Sequence, residues 1–460
     1  MSKDTYQIAA LTRELSQFAT MIVADDNELF FKRLSSELPI SLLTFQSGAV
    51  HNGWIIPQKW TVKRAKILVN GEVVFDGKSH TLGVAMYSRS FSGRVSYQEL
   101  QSHVVSHKKI PAAHVFHCMW QYRPWQADWA FCIPTATWST FSKDAEFDIE
   151  LETNLEAGEM IVGEYTHEGT LPKTIVFNAH TCHPHQANDA LVGVATLVRL
   201  FQWLSGRKTR YTYKLILGPE HLGTVFYLQN RPKSDINQMV GGIYTEMTGT
   251  KSSLKAASTF LGNQAIDRVV GHALRHYTKN HIQVAWRRGA GNDETVWEAP
   301  GYEVPFVELT RAHSLWEPYP EYHSDFDNVE SLDMENVEEA YEVLQHVVNI
   351  FEDDRLMYRQ FDGIICLSNP EYDLYFERPD PAVSKNLGVD SEKWGYLTDC
   401  LLRYFDGSIS VLDIAERHSL PFEDLLKYLR RFEEKGLIVF SPVEVERRAA
   451  STVRTETIDR

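Results

Sequence analysis

Apolar and polar positions follow two different periods along this chain, and the places where the period changes mark out its parts. Near the start, Ile8, Leu11, Leu15, Phe18 and Ile22 recur every three or four residues, which predicts helix within 5–40. From about 60 to 155 the pattern becomes short β-like runs. Ala65-Lys66-Ile67-Leu68-Val69 is followed by the hairpin pair Asn70-Gly71 and then by Val73-Val74-Phe75. Residues 61–153 therefore read as a β-rich domain inserted into a larger one. Between about 156 and 350, apolar runs at Lys173–Asn178, Tyr213–Leu217, Gly242–Thr245 and Val304–Leu309 alternate with helical patterns. That alternation predicts an α/β domain with a mostly parallel sheet, formed by 1–60 and 154–366. Residues 367–390, rich in Pro, Asp and Asn, read as a linker, and 391–446 as three helices and a short strand, a winged helix. The polar tail from Arg447 reads as disordered.

Composition narrows the function classes. With 460 residues and 43% apolar residues, the chain can fill more than one core. A net charge of −15 repels phosphate, so a nucleic-acid partner is not expected. The presumed recognition helix points the same way, because Lys427, Arg430 and Arg431 are offset by Glu423, Asp424, Glu433 and Glu434. Five scattered cysteines without a CxxC pair fit a reducing compartment. There is no signal-peptide pattern at the N-terminus and no apolar run of about 18 residues, so a cytoplasmic protein without a membrane span is expected. Self-association into a homo-oligomer is left open.

The candidate chemistry starts at Asn178-Ala179-His180-Thr181-Cys182-His183-Pro184-His185-Gln186-Ala187-Asn188-Asp189, between an apolar strand and a small-residue helix. Strand-to-helix crossings are where open α/β sheets build sites, and imidazole with carboxylate is a zinc donor set. Other polar groups follow further strands. They are Glu220 and His221 in Gly218-Pro219-Glu220-His221-Leu222-Gly223, Glu246 after Thr245, Asp293 and Glu294 in a glycine-rich loop, and His323 in Tyr322-His323-Ser324-Asp325. A two-zinc site needs a bridging carboxylate, further ligands for each metal and a separate base. Asp189 can bridge, His180 and Glu246 can complete one metal, His221 and His323 the other, and Glu220 can take a proton from water. Asp293, Glu294 and Arg311 are candidates for binding substrate. His185 reads as solvent-facing, and the aromatics at 120–131 as core.

The order His…Asp…Glu-X-X-Gly…acid…Tyr-His-Ser-X-X-Asp resembles the M28 family of zinc aminopeptidases. The whole chain also resembles the bacterial group of M28-like proteins carrying an inserted domain of unknown function and a C-terminal winged helix. Trp54-Ile55-Ile56-Pro57-Gln58-Lys59-Trp60, Trp129-Ala130-Phe131-Cys132-Ile133-Pro134 and Pro320-Glu321-Tyr322-His323-Ser324 carry that closer likeness, over roughly 5–440. The resemblance implies a zinc-dependent hydrolase, with one or two Zn2+, acting on the amide bond of a small peptide or amino-acyl conjugate. The chain departs from the family pattern at three places: Cys182 replaces the aspartate of His-X-Asp, His221 the second glutamate, and Glu246 an aspartate. His183 can take the place of His180 as ligand or support it. Cyclisation of an N-terminal glutamine is another chemistry within this class. Two rival readings remain: a catalytically degenerate metal-binding scaffold in polysaccharide or natural-product assembly, and a ligand-sensing DNA-binding regulator.

Overall fold

In the computed structural model, residues 2–120, 122–314, 316–375 and 390–447 are described. Helices α1 (Lys3–Leu15) and α2 (Asp26–Ser35) form where the helical spacing predicted them. Ser2 caps α1 by accepting the Thr5 N–H at 3.2 Å, and Ile8, Leu11 and Leu15 face the core. Strand β1 (Ser41–Gln46) then forms one edge of an eight-stranded sheet.

The inserted segment forms its own four-stranded antiparallel sheet from β2 (Lys59–Val69), β3 (Glu72–Asp76), β4 (Phe91–Ser96) and β5 (Glu146–Glu156), in the order β3-β2-β5-β4. Its hairpin turns at Asn70 and Gly71, both at positive φ (51° and 83°), as a type I′ turn requires. The chain returns to the main sheet through β6 (Glu159–His167), β7 (Thr174–His180), β8 (Thr212–Gly218), β9 (Met239–Thr245), β10 (Leu254–Ala257), β11 (His281–Val284) and β12 (Phe306–Thr310). The strand order is β1-β6-β8-β7-β9-β12-β10-β11. The central strands β8, β7, β9 and β12 are mutually parallel, and antiparallel pairs flank them, so the sheet is mixed. Residues 174–180 and 239–245 are buried throughout, as expected of strands covered on both faces.

Helices α3 (Val192–Ser205), α4 (Leu222–Gln229), α5 (Ala265–Tyr277) and α6 (Met334–Asp353) cover the sheet. The start of α3 lies against the end of β9. A Cβ on Gly193 would come within 2.4 Å of the Thr245 carbonyl oxygen, so glycine permits this contact. None of the helices among the described residues is long and apolar enough to cross a membrane.

Beyond the sheet, β13 (Arg355–Arg359) is followed by α7 (Asp390–Leu401), β14 (Asp406–Ser410), α8 (Val411–His418), α9 (Phe422–Glu434) and β15 (Ile438–Pro442). The C-terminal sheet runs β14-β13-β15, so its central strand comes from residues the sequence reading assigned to the α/β body. Strand β13 supplies the backbone partners that β14 and β15 need, which no local pattern reveals. The start of α9 is docked on the α/β body. Its Phe422 N–H donates to His272 Nε2 at 3.1 Å, and Glu423 Oε1 is 2.8 Å from His346 Nδ1. Within the expected linker, Leu367 and Leu374 are buried. Its remainder, 376–389, and the tail 448–460 lie outside the described residues.

Candidate metal centre

Three parallel strands converge at their carboxyl ends. His180 is the last residue of β7, Glu220 lies two residues beyond β8, and Glu246 directly follows β9. The register Asn178 opposite Tyr244 brings His180 and Glu246, each two residues further on, to the same level. Asp189 sits in a π-helical turn, Ala187–Leu191, ahead of α3. That turn is held by Asp327, which accepts the main-chain N–H of Asn188 at 2.7 Å and of Asp189 at 3.1 Å. Asp327 ends the Tyr-His-Ser-X-X-Asp motif, and this hydrogen bonding gives it a structural role.

Asp189 is the common member of two donor clusters. In one, His180 Nε2 is 3.5 Å from Asp189 Oδ1 and 3.3 Å from Glu246 Oε2. In the other, Asp189 Oδ2 is 3.0 Å from His183 Nε2 and 3.4 Å from His323 Nε2. Zinc bonds of about 2.0–2.1 Å at tetrahedral angles would separate neighbouring donors by roughly 3.3–3.4 Å. The observed separations lie close to that value.

The protonation pattern also suits a cation. His183 Nδ1 is 2.9 Å from the Pro184 carbonyl oxygen, an acceptor, so Nδ1 carries the proton. In the neutral ring, Nε2 then presents a lone pair to the Asp189 carboxylate, two acceptors face to face. His180 Nδ1 is 3.3 Å from Cys182 Sγ, and its buried Nε2 has no hydrogen-bond partner, as is true of Glu246 Oε1. Burial opposes charge on His180 and His183, yet the adjoining Cys182 and Asp189 raise both well above the ordinary histidine range. Burial likewise opposes charge on Asp189, but its three histidine partners hold it well below the usual carboxylate range. Burial pushes Glu246 up to about 7, against the pull of His180. A pocket that recruits protons in this way is one whose carboxylates require positive charge, and the donor set fits zinc.

The expected ligands do not all meet at Asp189. His221 belongs to neither Asp189 cluster. Its main-chain N–H donates to Asp293 Oδ1 at 2.7 Å, and Nδ1 is 3.1 Å from the same oxygen, which turns the ring away. His180 and His183 both reach Asp189, through Oδ1 and Oδ2 respectively. Glu220, its side chain 28% exposed, has an oxygen within reach of the His180 and Cys182 donor atoms and 3.4 Å from His221 Nε2.

The three substrate-binding candidates are engaged within the protein. Buried Asp293 holds His221 and accepts the Thr224 hydroxyl. Buried Glu294 accepts the Asn292 N–H at 2.7 Å and pairs with Arg287 at 3.2 Å. Arg311, 2% exposed, donates to the Ser252 and Asn336 carbonyls and pairs with Glu339. Both of its Nη atoms are thus engaged within the protein, while its buried Nε has no hydrogen-bond partner. His185 is half-buried rather than solvent-facing, and its Nε2 is 2.8 Å from the Thr81 hydroxyl.

Sequence reading missed the aromatic wall. Phe116 stacks on His183, with ring centroids 4.0 Å apart and planes 9° from parallel. Trp54 and Tyr122 pack against His221 at 6.2 and 5.5 Å. Phe116 and Tyr122 come from the inserted segment, and no periodicity marks aromatics that cross from one domain to another.

A mixed sheet with a histidine–carboxylate cluster at its carboxyl edge and added antiparallel sheets defines a zinc-aminopeptidase-like α/β fold. The chain belongs to the family described as Domain of unknown function (DUF4910), which matches residues 9–354. A relative from Clostridium acetobutylicum, "Putative polysaccharide biosynthesis protein with aminopeptidase-like domain", is 24% identical over 90% of this chain and 92% of its own length. The crystal structure of a "putative peptidase" from Clostridium acetobutylicum superposes with a TM-score of 0.79 at 21% identity, covering 95% of this chain and 96% of that one. A zinc aminopeptidase from Bacillus subtilis superposes with a TM-score of 0.56 at 11% identity, covering 75% and 94%. At these identities the likeness establishes the fold.

Proposed function

We propose that this protein is a zinc-dependent hydrolase that cleaves an amide bond of a small peptide or amino-acyl conjugate, in the manner of an aminopeptidase. The observation that carries this reading is the sharing of Asp189 between two donor clusters at zinc-like spacing. His180 and Glu246 would hold one ion, His183 and His323 the other, and Asp189 would bridge them. Zinc bound there would supply Lewis-acid polarisation of a carbonyl and a water acidic enough to react near neutral pH.

The chain's own residues account for the proton traffic. Glu220 is partly exposed beside the cluster and belongs to neither Asp189 group, so it can accept a proton from the attacking water. As the water oxygen bonds to the carbonyl carbon and the C–N bond breaks, Glu220 returns that proton to the departing nitrogen. Rings of the inserted segment stand against His183 and His221, which suits a small substrate. Docking of α9 on the α/β body argues against a DNA-binding regulator, because the start of that helix is already occupied.

The test is metal analysis combined with an amide-substrate panel. Wild type should carry about two zinc ions per chain and turn over at least one N-terminal amide. Glu220→Gln should retain the zinc and lose roughly 10²–10⁴-fold in rate. Tight zinc binding without turnover on any amide would favour the scaffold reading, which the name of the polysaccharide-biosynthesis relative supports. Absence of zinc even after reconstitution would refute both.

A further inference from the structure

Among the described residues, the inserted segment lies directly against His183 and His323 of the candidate metal centre. Residues 114–116 run beside the loop 323–325 as a short antiparallel bridge pairing Val115 with Ser324. The Phe116 N–H donates to the His323 carbonyl at 2.7 Å, and the Asp325 N–H donates to the His114 carbonyl at 3.1 Å. The His114 N–H donates to Asp325 Oδ1 at 3.0 Å. These bonds brace a residue that needs bracing, since His323 sits at φ +55°, where a non-glycine residue is strained.

The same segment grips the other half of the cluster. The Phe116 ring lies flat on His183 and edge-on to His323, with centroids 4.0 and 5.0 Å away. Thr81 bonds His185, two residues past His183. His180 and Glu246 leave the ends of β7 and β9 and owe their placement to the main sheet. The two clusters are therefore built unequally, one by the sheet and one by the sheet together with the insertion.

We propose that the inserted domain is a positioning element for the His183–Asp189–His323 metal position, with Phe116 as its contact residue. This inference rests on the two-zinc reading above. It assigns the insertion a task in building the centre, beyond limiting access to it. Phe116 holds the His183 ring in the plane that aims Nε2 at Asp189, while the backbone bridge holds His323. Without them, His183 keeps its bond to the Pro184 carbonyl and His323 its stack on Tyr322, so more of the ordering falls to the ion, at a cost in affinity.

The experiment is zinc titration under chelator competition on the full chain, in wild type, Phe116→Ala, Phe116→Tyr and Phe91→Ala. Phe91 is also half-buried in the insertion and stacks on Trp129 at 4.4 Å, so it controls for general loosening of that domain. Wild type should bind two zinc ions. Phe116→Ala should weaken one of them by roughly 10–100-fold, the usual effect of removing an outer partner of a ligand, and leave the other unchanged. Phe116→Tyr should restore it, and Phe91→Ala should bind both as wild type does. Unchanged affinities in Phe116→Ala, or an equal loss in Phe91→Ala, would overturn the inference while leaving the two-zinc reading intact. Fewer than two zinc ions in wild type would overturn both, and that outcome is visible before any variant is compared.

Discussion

Replacing His183 and His221 in turn separates the ligand set seen in the structure from the one the sequence suggested. His183 Nε2 is 3.0 Å from Asp189 Oδ2, whereas His221 is tied to Asp293 through both its main-chain N–H and Nδ1. His183→Ala removes one donor of three from its cluster. Losing even an outer partner of a ligand costs 10–100-fold, so loss of the ligand itself should cost at least about 100-fold, or about 2.7 kcal/mol. At free zinc 100 times the wild-type Kd, binding at this position adds about 2.7 kcal/mol of stability. A 100-fold weaker site at the same zinc concentration adds only about 0.4 kcal/mol. The zinc-free variant should also lose about 1–3 kcal/mol from the Phe116 stack and the bond to Pro184. Zinc content by elemental analysis and thermal unfolding with and without zinc measure these terms. At that free zinc the weakened position is half filled, so His183→Ala should fall to about 1.5 zinc ions per chain and lose most of the second zinc-induced shift, while His221→Ala keeps two. The reasoning is refuted if His221→Ala drops to one zinc while His183→Ala retains both.

Other predictions test neighbouring parts of the molecule. Arg311→Met should destabilise the protein by about 3–5 kcal/mol in urea unfolding, because it leaves Glu339 and two carbonyls without their partner. A selective rise in KM at unchanged stability would instead restore a substrate role for Arg311. Glu416 ties α8 to α5 through His272 and Arg275. Burial works against its charge, but these partners draw its pKa down to about 2. Its contribution is complete above the unfolded value near 4.3 and is lost as pH falls from there toward 2. Acid unfolding followed by Trp394 fluorescence should therefore show less pH dependence in that window for Glu416→Gln, and an unchanged profile would refute the assignment.

Much of the α/β body was legible in the chain. The four central strands are short, continuous apolar runs, and burial on both faces leaves no other composition available. Their boundaries moved by only a few residues, as with Tyr213–Leu217, which extends to Thr212–Gly218. His180 and Glu246 converge because both stand at the carboxyl ends of adjacent parallel strands, and Asp189 and His323 join them from segments that follow such strands. The signal failed where two segments distant in sequence had to meet. β13 reads as part of the body yet completes the C-terminal sheet, and nothing local records which backbone will pair with it.

By itself, the sequence determined which side chains were available and at which strand ends they would emerge. Local hydrophobic period and strand-to-helix order depend on neighbours within a few residues. Tertiary structure decided which histidine faces Asp189. His221 lies against the buried carboxylate of Asp293, an acceptor 72 residues away, while His183, stacked on Phe116 from the inserted segment, faces Asp189. Those choices depend on the orientation of an imidazole ring, and the partners that set it, Asp293 and Phe116, are far from it in sequence and meet it only in the folded chain.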